Sequence, residues 1–205
     1  HLLANSELTS TRVFRHYNRE VDRVIPPPVD VEAFSTDADR RENQLVIVGR
    51  LEDRKRPSVA IDAMRSQSEY TLKVIGDGPL RSELEREAPS NVEFFGFADQ
   101  KTLRRTIEES VAGLFMAERE DFGVTPIEYM AAGTPVVGVD EPNTNNQIDS
   151  ETGILVEPTA GSVAEGIQQV TQRNWDRQLI RKHAEQYSAS QFRDAIREFV
   201  EAVSF

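Results

Sequence analysis

The densest chemistry in the chain lies in Glu120-Asp121-Phe122-Gly123-Val124-Thr125-Pro126-Ile127-Glu128. Thr125 followed by Pro126 marks a helix start, because proline fits the first turn, where its missing N–H costs no hydrogen bond. The unpaired amides of such a turn, together with the positive end of the helix dipole, suit a phosphate. Gly123 lets the backbone approach that anion closely. Glu120 in the preceding loop and Glu128 in the first turn border one small cavity, and an ionised carboxylate is a strong acceptor for sugar hydroxyls. Acids beside a helix start are more often simple dipole partners, so this reading needs company.

Gly49-Arg50-Leu51-Glu52-Asp53-Arg54-Lys55 provides it, directly after an apolar run. Arg50 offers a fork and Lys55 a mobile point charge, and both can reach a diphosphate from the side opposite the helix start. Arg54 and Arg56 read as solvated charges heading a helix. Gly76-Asp77-Gly78-Pro79 reads as a tight structural turn. His16 and His183 fall on expected helices and read as surface or packing residues.

The elements that must position these groups alternate along the chain. Short runs rich in Val, Ile and Phe predict strands at Gln44–Gly49, Tyr70–Gly76, Asn91–Phe95, Val111–Met116, Pro135–Val139 and Gly153–Val156. Unbroken apolar runs suit strands covered on both faces. Amphipathic stretches predict helices over 55–66, 79–88, 99–110, 124–132, 159–173, 174–187 and 189–204. The pattern is that of an α/β fold, a Rossmann-like doubly wound parallel sheet whose carboxyl edge binds ligands. Residues 1–205 read as a single domain. His1–Ala4 resembles the end of a strand, with Asn5 and Ser6 capping a helix over 7–18, and this abrupt opening leads us to expect an upstream domain in the parent protein.

Composition narrows the function classes. The chain has 205 residues, a formal net charge of -11 and no cysteine. Disulfides, thiolate nucleophiles and cysteine-type zinc sites are excluded, and a reducing, cytoplasmic setting is expected. The acidic balance argues against nucleic acid as the main partner, since phosphate neutralisation needs clustered cations. Lysine stands only at 55, 73, 101 and 182, and an acid-rich, lysine-poor surface is the composition expected of a halophilic protein. We find neither a signal peptide pattern nor an apolar run of spanning length.

Taken together, the GRL…K turn at 49–55, IGDGPL at 75–80, FFGF at 94–97, the paired acids at 120 and 128, and YMAAGTPVVG at 129–138 resemble the C-terminal domain of glycosyltransferase family 4, half of a GT-B fold. Ala4-Asn5-Ser6 and the segment Val24–Asp30 resemble it as well. The resemblance implies that Arg50 and Lys55 bind the donor diphosphate and stabilise the leaving nucleotide. It implies that Glu128 holds the ribose, that Glu120 faces the transferred sugar, and that Phe122, Gly123, Val124 and Thr125 contact sugar or phosphate. The segment around Phe94 and Phe95 would border the base, although the two phenyl rings themselves read rather as part of a core strand. The implied donor is a UDP- or GDP-sugar, mannosyl donors included, with retention at the anomeric carbon and no metal or other cofactor. A glycan or lipid acceptor would enter through the missing N-terminal domain, with peripheral association at the cytoplasmic face of a membrane, and the fragment alone would bind without turnover. Two departures stand out: Asp121 replaces a usual glycine, and Asn143-Thr144-Asn145-Asn146-Gln147 replaces a glycine-rich turn with a Glu, where the Asn and Gln amides are expected to bond sugar hydroxyls instead. They favour the alternative of a non-catalytic nucleotide-sugar-binding or scaffolding domain, while a flavodoxin-like domain fits the strands alone.

Overall fold

In the computed structural model, residues 1–37 and 43–203 are described. The strands are β1 Leu3–Ala4, β2 Arg23–Val24, β3 Gln44–Val48, β4 Thr71–Ile75, β5 Val92–Gly96, β6 Ala112–Phe115, β7 Val136–Val139 and β8 Gly153–Val156. The helices are α1 Glu7–Tyr17, α2 Pro57–Ala63, α3 Arg81–Glu87, α4 Gln100–Glu109, α5 Thr125–Ala131, α6 Thr144–Gln147, α7 Ala160–Gln172, α8 Arg177–Glu185 and α9 Ala189–Val203. Ser204, which closes the helix expected over 189–204, lies outside the described residues.

Six strands form one parallel sheet in the order β5-β4-β3-β6-β7-β8. From β3 the chain winds outward to β5, returns to pair β6 with β3 through Leu45 and Ala112, Val46 and Gly113, and Ile47 and Leu114, then winds the other way to β8. The winding reverses between β3 and β6. In open α/β sheets the crevice outside the carboxyl ends at such a reversal is where ligands bind.

Alternate residues of the four inner strands feed two cores, as the two-residue period requires. Leu45, Ile47, Leu72, Val74, Leu114 and Val137 pack on α2, α3 and α7. Val46, Ile75, Phe115 and Val136 pack on α4, α5 and α8 on the opposite face. The sheet is therefore doubly wound, as its apolar runs predicted. Outside it, β1 pairs in parallel with β2, and Ser6 caps α1 by accepting from the Thr9 N–H.

One expected element is broken. The stretch 55–66 is not a continuous helix: a single 3-10 turn covers Asp53–Lys55, α2 begins at Pro57, and a second 3-10 turn covers Met64–Ser66. Proline disfavours the helical region for the residue before it. Arg56 accordingly takes a left-handed backbone, φ 46° and ψ 44°, and turns the chain between the two pieces.

Candidate functional site

At the reversal, the segments leaving β3 and β6 enclose a cavity of about 250 Å³ lined by Gly49, Arg50, Lys55, Pro57, Phe115, Ala117 and Thr125, among others. The two predicted cations and the predicted helix start thus share one cleft. Thr125 is the first residue of α5 and Pro126 the second, so the amides opening this helix lack intrahelical acceptors, as in any first turn. A second hollow of about 650 Å³ continues from Val48, Gly49 and Arg50 across Ile75, Gly76, Asp77, Gly78, Phe97, Ala98 and Leu103. The smaller cavity is cationic at its mouth, and the larger is mainly apolar, a pairing that suits a phosphate joined to a flat organic group.

The loop entering the larger hollow is built backbone against backbone. The Leu51 N–H donates to the Asp77 carbonyl at 3.0 Å and the Leu80 N–H to the Leu51 carbonyl at 3.1 Å. A Cβ on Gly76 would stand 1.9 Å from the Gly49 carbonyl oxygen. The GDGP turn is thereby structural, as read, and it also lines the hollow.

Each cation has an acidic partner. Lys55 is ion-paired with Glu120, both partly buried. Arg50 Nε lies 3.2 Å from Glu52 Oε2 on an otherwise exposed side chain. Glu128, one turn into α5, is half-buried; burial pushes its carboxyl above the usual range, against a smaller opposing pull from Arg104. No hydrogen bond or ion pair of that carboxylate is found among the described residues, which leaves its acceptor capacity free for hydroxyls.

The loop joining Glu120 to Thr125 is braced from beneath. Asn143 and Gln147 donate side-chain amide bonds to the Phe122 carbonyl, the latter at 2.7 Å, and Gln147 also reaches the Gly123 carbonyl at 3.2 Å. Both side chains are buried. They therefore serve the loop, and the expectation that these amides bond sugar hydroxyls is corrected. The Phe122 ring is buried against Tyr187, with centroids 5.6 Å apart. Of the groups expected to contact a ligand, the Phe122 ring and carbonyl are therefore engaged inside the protein, leaving backbone N–H groups and the exposed Val124 side chain on the open side. Gly123 has φ 77°, a left-handed value that favours glycine. Asp121, the extra carboxylate, is neutralised by an ion pair with Arg12 of α1, whose Nη2 also donates to the Arg119 carbonyl at 3.2 Å.

Phe95 is corrected. Its ring faces a separate hollow beside Gln44, Lys101 and Arg105, with Lys73 Nζ 5.4 Å from the ring centroid, and lines neither cavity at the reversal. Phe97, 86% exposed, is the aromatic beside the larger hollow. The cause is a register shift: Ile75 pairs with Gly96, whose φ is 66°, where regular alternation would present Phe95.

Sequence reasoning missed the roles of Arg56, Arg12 and Tyr129. Arg56 Nη1 lies 3.0 Å from Glu141 Oε1 and Nη2 lies 3.4 Å from Glu118 Oε2, so it is no solvated charge. The one available signal was its place before Pro57. Among the described residues no group of three or more His, Asp or Glu could hold a metal ion, and no helix is long and apolar enough to cross a membrane.

A doubly wound parallel sheet with an anion-suited cleft at its winding reversal is the class of open α/β domain that takes its ligands at that point. The chain belongs to the glycosyl transferases group 1 family, whose profile matches residues 29–199. It is 28% identical to a D-inositol 3-phosphate glycosyltransferase of Jonesia denitrificans, over 91% of this chain and 53% of that protein. It is 28% identical to a GDP-mannose-dependent alpha-(1-6)-phosphatidylinositol dimannoside mannosyltransferase of Mycobacterium tuberculosis, over 69% of this chain and 39% of that protein. The chain spans about half the length of the curated relatives it matches. Among solved structures, Anabaena HepE in complex with UDP shares the fold at TM-score 0.84 and 18% identity, over 98% of this chain and 63% of that one. The fold is thus that of GT-B Rossmann-like domains.

Proposed function

We propose that this chain is the C-terminal, donor-binding domain of a family 4 glycosyltransferase, and that the whole protein moves a hexose from a UDP- or GDP-sugar to a glycan or lipid acceptor with retention. One observation carries the reading: Arg50, Lys55 and the first residue of α5 line a single cavity. As the bond from the anomeric carbon to the phosphate oxygen breaks, negative charge collects on the diphosphate. Preformed cations and helix amides stabilise that charge where it develops. Arg50 and Lys55 take that role, Glu128 accepts from the ribose hydroxyls, and Glu120 accepts from the sugar. The chain supplies the diphosphate countercharge through these side chains, so we propose transfer without a metal, and chelation by EDTA is expected to leave it unchanged. An acceptor domain would complete the active site in the whole protein, which we place in the cytoplasm or at the cytoplasmic face of a membrane.

The test is titration of the purified chain with UDP, GDP and ADP, each with and without a hexose. Saturable binding of one nucleotide, with amide shifts at 50, 55 and 120–128, is expected; no binding of any of them would sink the reading. The pairing of both cations with acids, Lys55 with Glu120 and Arg50 with Glu52, favours a second reading, a non-catalytic nucleotide-sugar-binding or scaffolding domain. Transfer by the whole protein that survives Glu120→Ala and Lys55→Ala at equal rate would select it.

A further inference from the structure

We infer that Arg56 is a positioning residue for the donor site, acting through the loop that carries Glu120. The inference rests on the donor-site reading above and names a residue that does not touch the ligand cavity. Lys55 and Pro57, on either side of Arg56, line that cavity, and Arg56 does not.

The left-handed backbone of Arg56 is strained for a residue with a Cβ and natural for glycine. It swings the side chain out of the line of α2 and under the carboxyl edge of the sheet. There the side chain is only 20% exposed, and its guanidinium donates from Nη1 and Nη2 to Glu141 Oε1 at 3.0 and 3.1 Å and stands 3.4 Å from Glu118 Oε2. One planar group thereby ties together the segments that leave β3, β6 and β7. The Glu118 N–H adds a bond of 2.7 Å to the Arg54 carbonyl, so the β3 and β6 segments are fastened by both main chain and side chain. Lys55 adjoins Arg56, and Glu120 lies two residues beyond Glu118. The Lys55–Glu120 ion pair is thus the outer contact of a fastening whose inner contact is Arg56. A lysine could not replace it, because a single ammonium lacks the fork that spans two carboxylates from different loops.

Three measurements on the whole chain test this, using UDP-glucose and GDP-mannose as probes. Arg56→Gly removes the fastening while leaving a residue suited to the left-handed backbone. Amide hydrogen exchange at 117–123 without ligand should accelerate in this variant, and the dissociation constant of the tighter probe should rise by about ten- to a hundredfold. In a Glu120→Gln background the same change should weaken binding far less, because the group being positioned is already altered. Unchanged exchange with unchanged affinity would overturn the role of Arg56 alone. Equal losses of affinity in both backgrounds would do the same, marking Arg56 as a stabilising residue with no link to Glu120. A wild-type chain that binds neither probe would instead overturn the donor-site reading itself, and this inference with it.

Discussion

The Tyr129 hydroxyl accepts a hydrogen bond from the Val48 N–H at 2.9 Å and lies 3.4 Å from the Leu114 carbonyl, so one fully buried phenol from α5 closes the ends of β3 and β6. Burial holds its proton on, pushing the phenol far above its ordinary range. The ring lies across Gly113, where an added Cβ would stand 2.2 Å from a ring carbon.

Tyr129→Phe should leave the Val48 amide buried without a partner and cost about 1–3 kcal/mol. Gly113→Ala should cost at least as much, since ring or strand must move in a close-packed interior. Chemical denaturation with both variants checks this. A Tyr129→Phe protein as stable as the wild type would show that the phenol is not a structural tie.

Lys55 and Glu120 should separate in their effects on binding. Lys55→Ala removes a countercharge from the diphosphate and should weaken nucleotide-diphosphate binding about tenfold or more. Glu120→Ala releases Lys55 from its ion pair, so affinity for the bare nucleoside diphosphate should hold or rise while the gain from the attached hexose is lost. Calorimetric titrations with UDP and UDP-glucose, or GDP and GDP-mannose, distinguish the two. Parallel losses on both ligands would contradict the assigned roles.

Glu128 should trade stability for affinity. Its carboxyl is raised by burial, so the folded protein holds that proton more tightly than the unfolded chain does. The stabilisation this provides is fully present below the unfolded pKa and is lost as pH rises through the folded one. Glu128→Gln, neutral at every pH, should therefore raise the melting temperature near neutrality by about 1–3 °C. It should also lose affinity for the ribose. In the wild type, donor affinity should fall as pH drops through the raised carboxyl pKa, and the variant should show no such dependence.

The acidic surface should respond to salt. With a net charge of -11, mutual repulsion is screened as ionic strength grows. The melting temperature should climb between about 0.1 M and about 2 M KCl, the halophilic behaviour expected from composition. A flat or falling curve would remove that expectation.

The parallel sheet was legible because strands buried on both faces write themselves as unbroken apolar runs, and Arg50, Lys55 and the Thr125-Pro126 start were legible because each lies in the segment that leaves such a run. Arg56 was not: its partners Glu118 and Glu141 belong to loops 62 and 85 positions away, a proximity created only by the strand order. Phe95 was named where Phe97 lines the hollow, because the resemblance points to a segment and not to a register, and the shift at Ile75 and Gly96 decides which ring faces which side. The amides of Asn143 and Gln147 looked like ligand donors because polar residues near a site carry no mark of which way they face. Only their burial and their bonds to the Phe122 carbonyl decide it.

Because all six strands of the main sheet run in parallel, every segment leaving a strand emerges at the edge that holds the cavities, and every segment entering one lies at the opposite edge. Recognition is thus confined to one edge, which also carries ties such as the Gly76–Gly49 contact, while the opposite edge serves the scaffold alone. Extra residues spliced in near 67–70 or 88–91, which lead into β4 and β5, should leave the cleft untouched. By the same token, descendants of this sequence can change what they bind by altering exposed positions in the stretches after β3, β6 and β7, provided that the ties of Arg56 to Glu118 and Glu141 stay in place.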